Sequence, residues 1–455
     1  MEDDKTKTPP RDLELLFNAR SVAVVGASAN PEKLGYEILN NLINMGYSGP
    51  IYPINPKADE ILGLKVYPSL SDVGQPIDLI GVIVPGKLAP GVIEEAGKLG
   101  VKNAVVISGG FREIGNDELE AALVGAARFG GVGIIGPNCQ GINYPANRLC
   151  LSWPLIKRRG RLALICQSGT IAAALGDRAD QEEIGISGLV ALGNRCDIDE
   201  SDLIEFFGAD PGTDVIAVYL EGIRDGNKFM EVGRRVGKIK PVLVLKGGRT
   251  ERGRKAAESH TKSIAGRGEI FDAALRKVGF EKVESIDELY DCAKALAAEK
   301  KRPGKRVQVL TSSGGSGIVA VDVLEELGLD VAPLGEASRK RLAEVLPSHC
   351  VIGNPLDLTG DTPAERYKEA VEALAGTDPA IDLYLLIFGD PIPRATENCL
   401  ELKAKVGKPV IAAYIGGGEV EAVEFPKMNG AGIPTFPTPE RAARAARSIL
   451  TGRKE

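Results

Sequence analysis

The chain has 455 residues, 44% hydrophobic and 26% charged, with a formal net charge of −6; this length exceeds one ordinary core and predicts about three domains. Acidic balance and only 5% aromatic residues exclude a basic, base-stacking nucleic-acid surface. No run of eighteen apolar residues occurs and Met1–Arg11 is charged, so neither a membrane span nor a signal peptide is expected.

Seven scattered cysteines without a Cys-x-x-Cys predict a reduced, cytoplasmic setting with no disulfide framework or structural zinc. With two histidines, His260 and His349, no multi-histidine metal site is expected. Glycine is abundant, at 55 residues, which suits parallel sheets with tight turns before helices.

In chain order, short apolar runs alternate with amphipathic stretches, the pattern of βαβ units. Strands are predicted at Ser21–Val25, Pro50–Ile54, Asp78–Val84, Asn103–Ile107 and Val132–Ile135, with helices such as Glu32–Met45 and Pro90–Leu99 between them. Gly136-Pro137-Asn138 and the irregular Cys139–Gly160 stretch read as a crossing to a second domain. That domain is predicted from strands at Arg161–Cys166, Gly188–Ala191, Val215–Leu220 and Pro241–Leu245. The polar run Ala298–Lys305 reads as a linker. A third domain follows, with strands at Arg306–Leu310, Asp382–Phe388, Pro409–Ala413 and Ile433–Phe436 and a closing helix Pro439–Leu450. The fold class is therefore α/β, with three doubly wound domains.

Ligands of such sheets sit beyond the carboxyl ends of the strands, where glycine turns and helix starts present backbone N–H groups. The first turn, Val25-Gly26-Ala27-Ser28, lacks the full G-x-G-x-x-G. The second strand ends Asn55-Pro56-Lys57, where an NAD site wants an acid. A lysine there either favours a phosphorylated ribose, as in NADP or coenzyme A, or is a solvated loop residue. Further turns are Ser108-Gly109-Gly110, Gln167-Ser168-Gly169-Thr170 and Ser312-Ser313-Gly314-Gly315. The last two open helices, a geometry suited to phosphate or to a simple tight connection.

After Pro241–Leu245 comes a long, basic, glycine-bracketed stretch carrying Ser259-His260-Thr261-Lys262-Ser263. A lone histidine is ordinarily a surface or capping residue, but imidazole is also a competent nucleophile near neutral pH. A catalytic imidazole needs an orienting partner, and Glu221, at the end of the neighbouring strand, is the candidate. Its alternative role is a helix cap. His349 lacks such surroundings and reads as structural.

Together these segments, with Gly136-Pro137-Asn138-Cys139 and Asn354-Pro355-Leu356-Asp357, resemble the alpha subunit of ADP-forming acyl-CoA (acetyl-CoA) synthetases, relatives of succinyl-CoA synthetase. The histidine segment is the most specific of them; Lys262 stands where a small residue is expected. The resemblance implies a Rossmann-like coenzyme-A-binding domain (1–145) and two flavodoxin-like ligase domains (146–302 and 303–455). It implies a relay in which acyl-CoA and phosphate give an acyl phosphate, His260 takes the phosphoryl group, and ADP with magnesium receives it. Gln167, Ser168, Gly169 and Ser312, Ser313, Gly314, Gly315 would hold phosphate. Gly26, Ser28, Lys57, Val84, Ser108, Gly109 and Asn138 would meet coenzyme A, and Glu221 would steady His260. The nucleotide site and its magnesium would lie on a separate ATP-grasp beta subunit, in an assembly of two alpha and two beta chains. The alternatives are an NADP-dependent oxidoreductase, for which no catalytic constellation is visible, and a non-catalytic coenzyme-A-binding regulatory module, which leaves the histidine segment without a purpose.

Overall fold

The computed structural model describes residues 11–255, 268–375 and 380–451. Its first sheet is fully parallel: β1 (Val22–Val25), β2 (Ile51–Ile54), β3 (Leu79–Val82), β4 (Asn103–Val106) and β5 (Gly133–Ile135), in the order β2-β1-β3-β4-β5. β1, β3, β4 and β5 are buried along their whole length, as Val/Ile-rich strands covered by helices on both faces must be. β1 turns into the helix Leu34–Asn44 through Gly26, at φ +97°. A Cβ at Gly26 would meet the Ile83 carbonyl oxygen at 2.6 Å, and one at Gly35 would meet the Gly26 oxygen at 2.1 Å. Both glycines are required by backbone contact.

The second sheet has seven strands: β6 (Gly141–Tyr144), β7 (Leu149–Leu151), β8 (Arg159–Cys166), β9 (Ile186–Ala191), β10 (Val215–Leu220), β11 (Val242–Lys246) and β12 (Glu281–Val283). Their order is β12-β11-β10-β8-β9-β6-β7. The stretch read from sequence as a crossing is thus largely structured: β6 and β7 form an antiparallel hairpin that extends this sheet beside β9. The two sheets fall in one compact unit, running to Asp180 and from Gly185 to Val283. The hairpin is the reason. Leu151 packs on Gly81 of β3, Asn41 of the helix Leu34–Asn44 donates to the Ser152 carbonyl (2.9 Å), and Phe17, Tyr144, Phe206 and Phe207 stack in the shared core. Its alternation was masked in the sequence because both of its faces are buried.

The other unit takes Gln181–Ile184 and the chain from Glu284 onward. Its parallel sheet consists of β13 (Val307–Thr311), β14 (Leu356–Asp357), β15 (Leu383–Phe388), β16 (Val410–Tyr414) and β17 (Thr435–Phe436), ordered β14-β13-β15-β16-β17. Two residues of the predicted linker, Arg302 and Pro303, pair with Leu450 and Thr451, so that run belongs to this fold. Lys294 is buried here, its ammonium 2.7 Å from Glu182 and over the Phe436 ring. Burial of a lysine is tolerated because a carboxylate and aromatic faces replace water.

Candidate functional site

The carboxyl ends of β8, β10 and β11 converge on Gln167. This side chain is 3% exposed. Its Oε1 accepts from the Glu221 N–H (2.7 Å) and the Gly222 N–H (3.4 Å), while its Nε2 is buried with no partner among the described residues. An orphaned buried donor costs about 1–3 kcal/mol unless a ligand meets it. Gln167 stands two residues before the first residue of the helix Gly169–Gln181, whose first-turn N–H groups have no intrahelical acceptor. Gln167 and the helix start line one cavity of about 470 Å³, together with Asn138, Ser168, Gly169, Thr170 and Asn194.

Behind Gln167 the strand ends are tied by a buried cation. The Lys246 ammonium donates to the Glu221 carbonyl (2.7 Å) and to the Gly247 carbonyl. Burial lowers its pKa, the Glu221 charge opposing and Arg195 reinforcing that shift. Tyr219, against the Glu221 carboxylate, is pushed up to about 12 by burial first and by that charge second. Glu221 is itself 8% exposed. His260 lies outside the described residues. Of the stretch that carries it, residues 251–255 are helical.

A second network shapes the other wall. Glu113 accepts from the Gly110 and Phe111 N–H groups and from Asn194 Nδ2 (2.7 Å). Burial alone would raise its pKa, but these donors outweigh burial and hold it below the ordinary range. Asn194 also donates to Glu120 (2.9 Å), and Asn138 Nδ2 reaches Asn194 Oδ1 at 3.4 Å. The cysteine beside it, Cys139, is raised to about 12 by burial, which makes its thiol inert.

The residues expected to meet coenzyme A divide. Gly26, Lys57 and Val84 line a separate cavity of about 350 Å³ with Ile54, Asn55 and Glu95. Asn55 shapes it, donating to the Ala27 carbonyl (2.7 Å) and accepting from the Lys57 N–H (2.8 Å). Asn138 lies instead on the larger cavity. Ser28, Ser108 and Gly109 line neither: Ser28 accepts from the Asn30 N–H, and the Ser108 hydroxyl is spent on the Val84 carbonyl (2.6 Å).

In the other unit, Ser312, Ser313, Gly314 and Gly315 open the helix Gly314–Glu326. Ser312 is 1% exposed and its hydroxyl accepts from the Gly389 N–H, while Ser313 pairs with Ser316 at 2.8 Å. Asp357 stands beside Gly314. His349, half exposed, lies 3.5 Å from Asp361. Among the described residues no three His, Cys, Asp or Glu side chains converge as a metal site, and no helix is long and apolar enough to cross a membrane.

Sequence reading missed Gln140, Trp153 and Asn194. Asn194 had a signal, since Gly193-Asn194 directly follows β9 as another glycine turn. Gln140 and Trp153 had none: they enter the site through the hairpin.

Family models match three segments: a CoA binding domain at residues 20–145, a succinyl-CoA ligase-like flavodoxin domain at 159–296 and a ligase-CoA domain at 307–444. Sheets and matches together define a CoA ligase of the succinyl-CoA ligase type. The chain is 40% identical over 452 residues to the alpha subunit of ADP-forming acetate–CoA ligase I of Pyrococcus furiosus, covering 96% of this chain and 97% of that one. It is 39% identical to ADP-forming acetate–CoA ligase I of Archaeoglobus fulgidus, covering 95% of this chain but 62% of that longer protein. The dinucleotide-forming acetyl-coenzyme A synthetase 1 of Candidatus Korarchaeum cryptofilum, solved with phosphate and ADP, superposes with a TM-score of 0.88 at 40% identity and 96% coverage of each chain. The chain belongs to the ADP-forming acetate–CoA ligase family, and its extent matches an alpha subunit.

Proposed function

We propose that this chain catalyses the acyl and phosphoryl steps of an ADP-forming acyl-CoA ligase. Phosphate held at Gln167, Ser168 and Gly169 attacks the thioester carbonyl; the C–S bond breaks and the thiolate leaves, taking a proton. A nitrogen of His260 then attacks phosphorus, breaking its bond to the acyl oxygen and releasing the acid. A terminal oxygen of ADP finally takes the phosphoryl group from nitrogen, giving ATP. Splitting transfer in two lowers each barrier.

The single observation carrying the reading is the buried Nε2 of Gln167, without a partner among the described residues, near a helix start and beside Glu221. It offers a preorganised donor where phosphate charge would sit. Glu221 is the proposed orienting carboxylate for His260. Gly26, Ser28, Lys57 and Val84 are the proposed contacts of coenzyme A, with Ser108, Gly109 and Asn138 around its reactive end. The turn Ser312-Ser313-Gly314-Gly315 is proposed as a second stop, acting through backbone N–H groups because its hydroxyls are engaged. The division at 1–145, 146–302 and 303–455 is proposed as the functional one. ADP and magnesium belong on an ATP-grasp beta subunit, in an assembly of two alpha and two beta chains in the cytoplasm.

The test is incorporation of acid-labile, alkali-stable label from γ-labelled ATP, with partner subunit and magnesium, into wild type and His260→Ala. Label on wild type and none on the variant is expected. A wild type that binds coenzyme A yet takes no label overturns the relay and leaves a coenzyme-A-binding regulatory module.

A further inference from the structure

Gln167 keeps its aim only while the turn after β10 keeps its place, and that turn is clamped from two sides. The Glu221 and Gly222 N–H groups both donate to Gln167 Oε1. The carbonyls of the same two residues are each held by a buried cation. Lys246 donates to the Glu221 oxygen at 2.7 Å, and Arg195 Nη1 donates to the Gly222 oxygen at 2.8 Å. The same Nη1 lies 2.7 Å from Glu200 Oε2; Arg195 is 3% exposed and Glu200 fully buried. Glu200 Oε1 in turn accepts from the Arg224 N–H (2.8 Å), and the Arg224 guanidinium donates to the Cys196 carbonyl (2.8 Å) and to that of Asp197. The segments after β9 and β10 are thus stitched together around one buried ion pair.

Taking two charges out of water offsets much of what such a pair gains, and well-packed apolar residues often hold a fold as well. Stability alone therefore does not account for it. The backbone agrees: Arg195 stands at φ +55°, a left-handed conformation uncommon for a large side chain. Strain of this kind persists where the surroundings over-determine it. Neither Arg195 nor Glu200 lines the cavity, so neither meets the substrate there. We infer that Arg195, oriented by Glu200, is a positioning residue for phosphoryl chemistry: it locks the Glu221–Gly222 turn and through it aims Gln167 Nε2 and the Glu221 carboxylate. The inference rests on the reading that gives phosphate to Gln167 and the orienting role to Glu221.

Two variants separate aim from stability. Arg195→Met leaves Glu200 buried without its cation and should lower Tm. Adding Glu200→Gln, whose amide oxygen can still accept from the Arg224 N–H, should recover most of that loss. The Gly222 carbonyl loses its Arg195 donor in both. In the assembled enzyme the double variant should therefore melt near wild type yet lose kcat/KM for phosphate by roughly 100-fold, the scale of about 1 Å of misplacement. Part of that loss should appear as a raised phosphate KM, with the coenzyme A KM unchanged. Loss of folded protein lowers kcat for every substrate and leaves KM alone, so this split reports aim rather than amount. A phosphate KM at the wild-type value in the double variant, or equal losses for phosphate and coenzyme A, overturns the inference. If wild type takes the phosphohistidine label, that failure is of the positioning role alone; no label on wild type overturns the relay and this inference with it.

Discussion

Two glycine turns look equivalent as strings: Gln167-Ser168-Gly169 and Ser312-Ser313-Gly314 each close a central strand and open a thirteen-residue helix. Folded, they differ in what they leave unspent. The first keeps a buried amide donor without a partner among the described residues and lines a cavity. The second uses its hydroxyls internally and has a carboxylate at its mouth: a Cβ on Gly314 would lie 2.6 Å from Asp357 Oδ2. A helix start favours negative charge whether it comes from a ligand or from the protein's own aspartate. A glycine turn is therefore a phosphate site to the extent that its donors remain unsatisfied.

The largest expected effect breaks the first turn. Gln167→Glu keeps an oxygen to accept from the Glu221 and Gly222 N–H groups but replaces the Nε2 donor with negative charge. Loss of one preorganised donor costs roughly 100- to 1,000-fold in rate, so kcat/KM for phosphate should fall by at least that range. Steady-state kinetics with the partner subunit measures it. A phosphate KM and kcat within twofold of wild type would sink the assignment of this turn.

Much of this was legible beforehand. β10 was predicted at its observed bounds, and the other main strands of the three sheets lie within a few residues of the predicted runs, because buried parallel strands write continuous apolar runs. Short strands escaped: Glu281–Val283 and Leu356–Asp357 are too brief to show a period. At the site, Gln167, Ser168 and Gly169 were legible as a glycine turn, whereas Trp153 and Gln140 were not. Their roles depend on a hairpin that packs against the helix of another sheet, a long-range contact with no local signature. The engagement of the Ser108 and Ser312 hydroxyls was equally hidden, since a serine at a strand end looks the same whether it faces ligand or backbone.

A matched pair of substitutions sharpens the comparison. At Gly169 a Cβ would meet Gln140 side-chain atoms at 3.2 Å, a contact that a small shift relieves. Gly169→Ala should move Tm by less than about 2 °C, since alanine also favours the helix, while raising the phosphate KM about tenfold by crowding the cavity. Gly314→Ala instead displaces Asp357 from a hydrogen-bonded position, its Oδ1 accepting from the Thr359 N–H at 2.9 Å. Overpacking of that kind costs about 1–3 kcal/mol, or roughly 2–10 °C in a domain of this size, with a smaller kinetic effect. Thermal melts and phosphate titrations on both variants decide. The reverse pattern, with Gly314→Ala stable and the more damaging to phosphate KM, would make the second turn the principal phosphate site.

The smallest effect concerns what holds the first turn in place. Lys246→Met removes the donor to the Glu221 and Gly247 carbonyls, costing about 1–3 kcal/mol at neutral pH. The pH dependence has a definite sign. Burial depresses the folded-state pKa of Lys246 below the value of about 10.4 in the unfolded chain. Between those two values the unfolded chain binds more protons, so this group's contribution to stability rises with pH through that window. Methionine has no such contribution. Urea midpoints of wild type and variant, compared from pH 7 to pH 10, should therefore diverge as pH rises, the wild type gaining. Parallel curves would mean that Lys246 carries its charge into the fold at no cost, and that its two carbonyl contacts fully replace water around the ammonium.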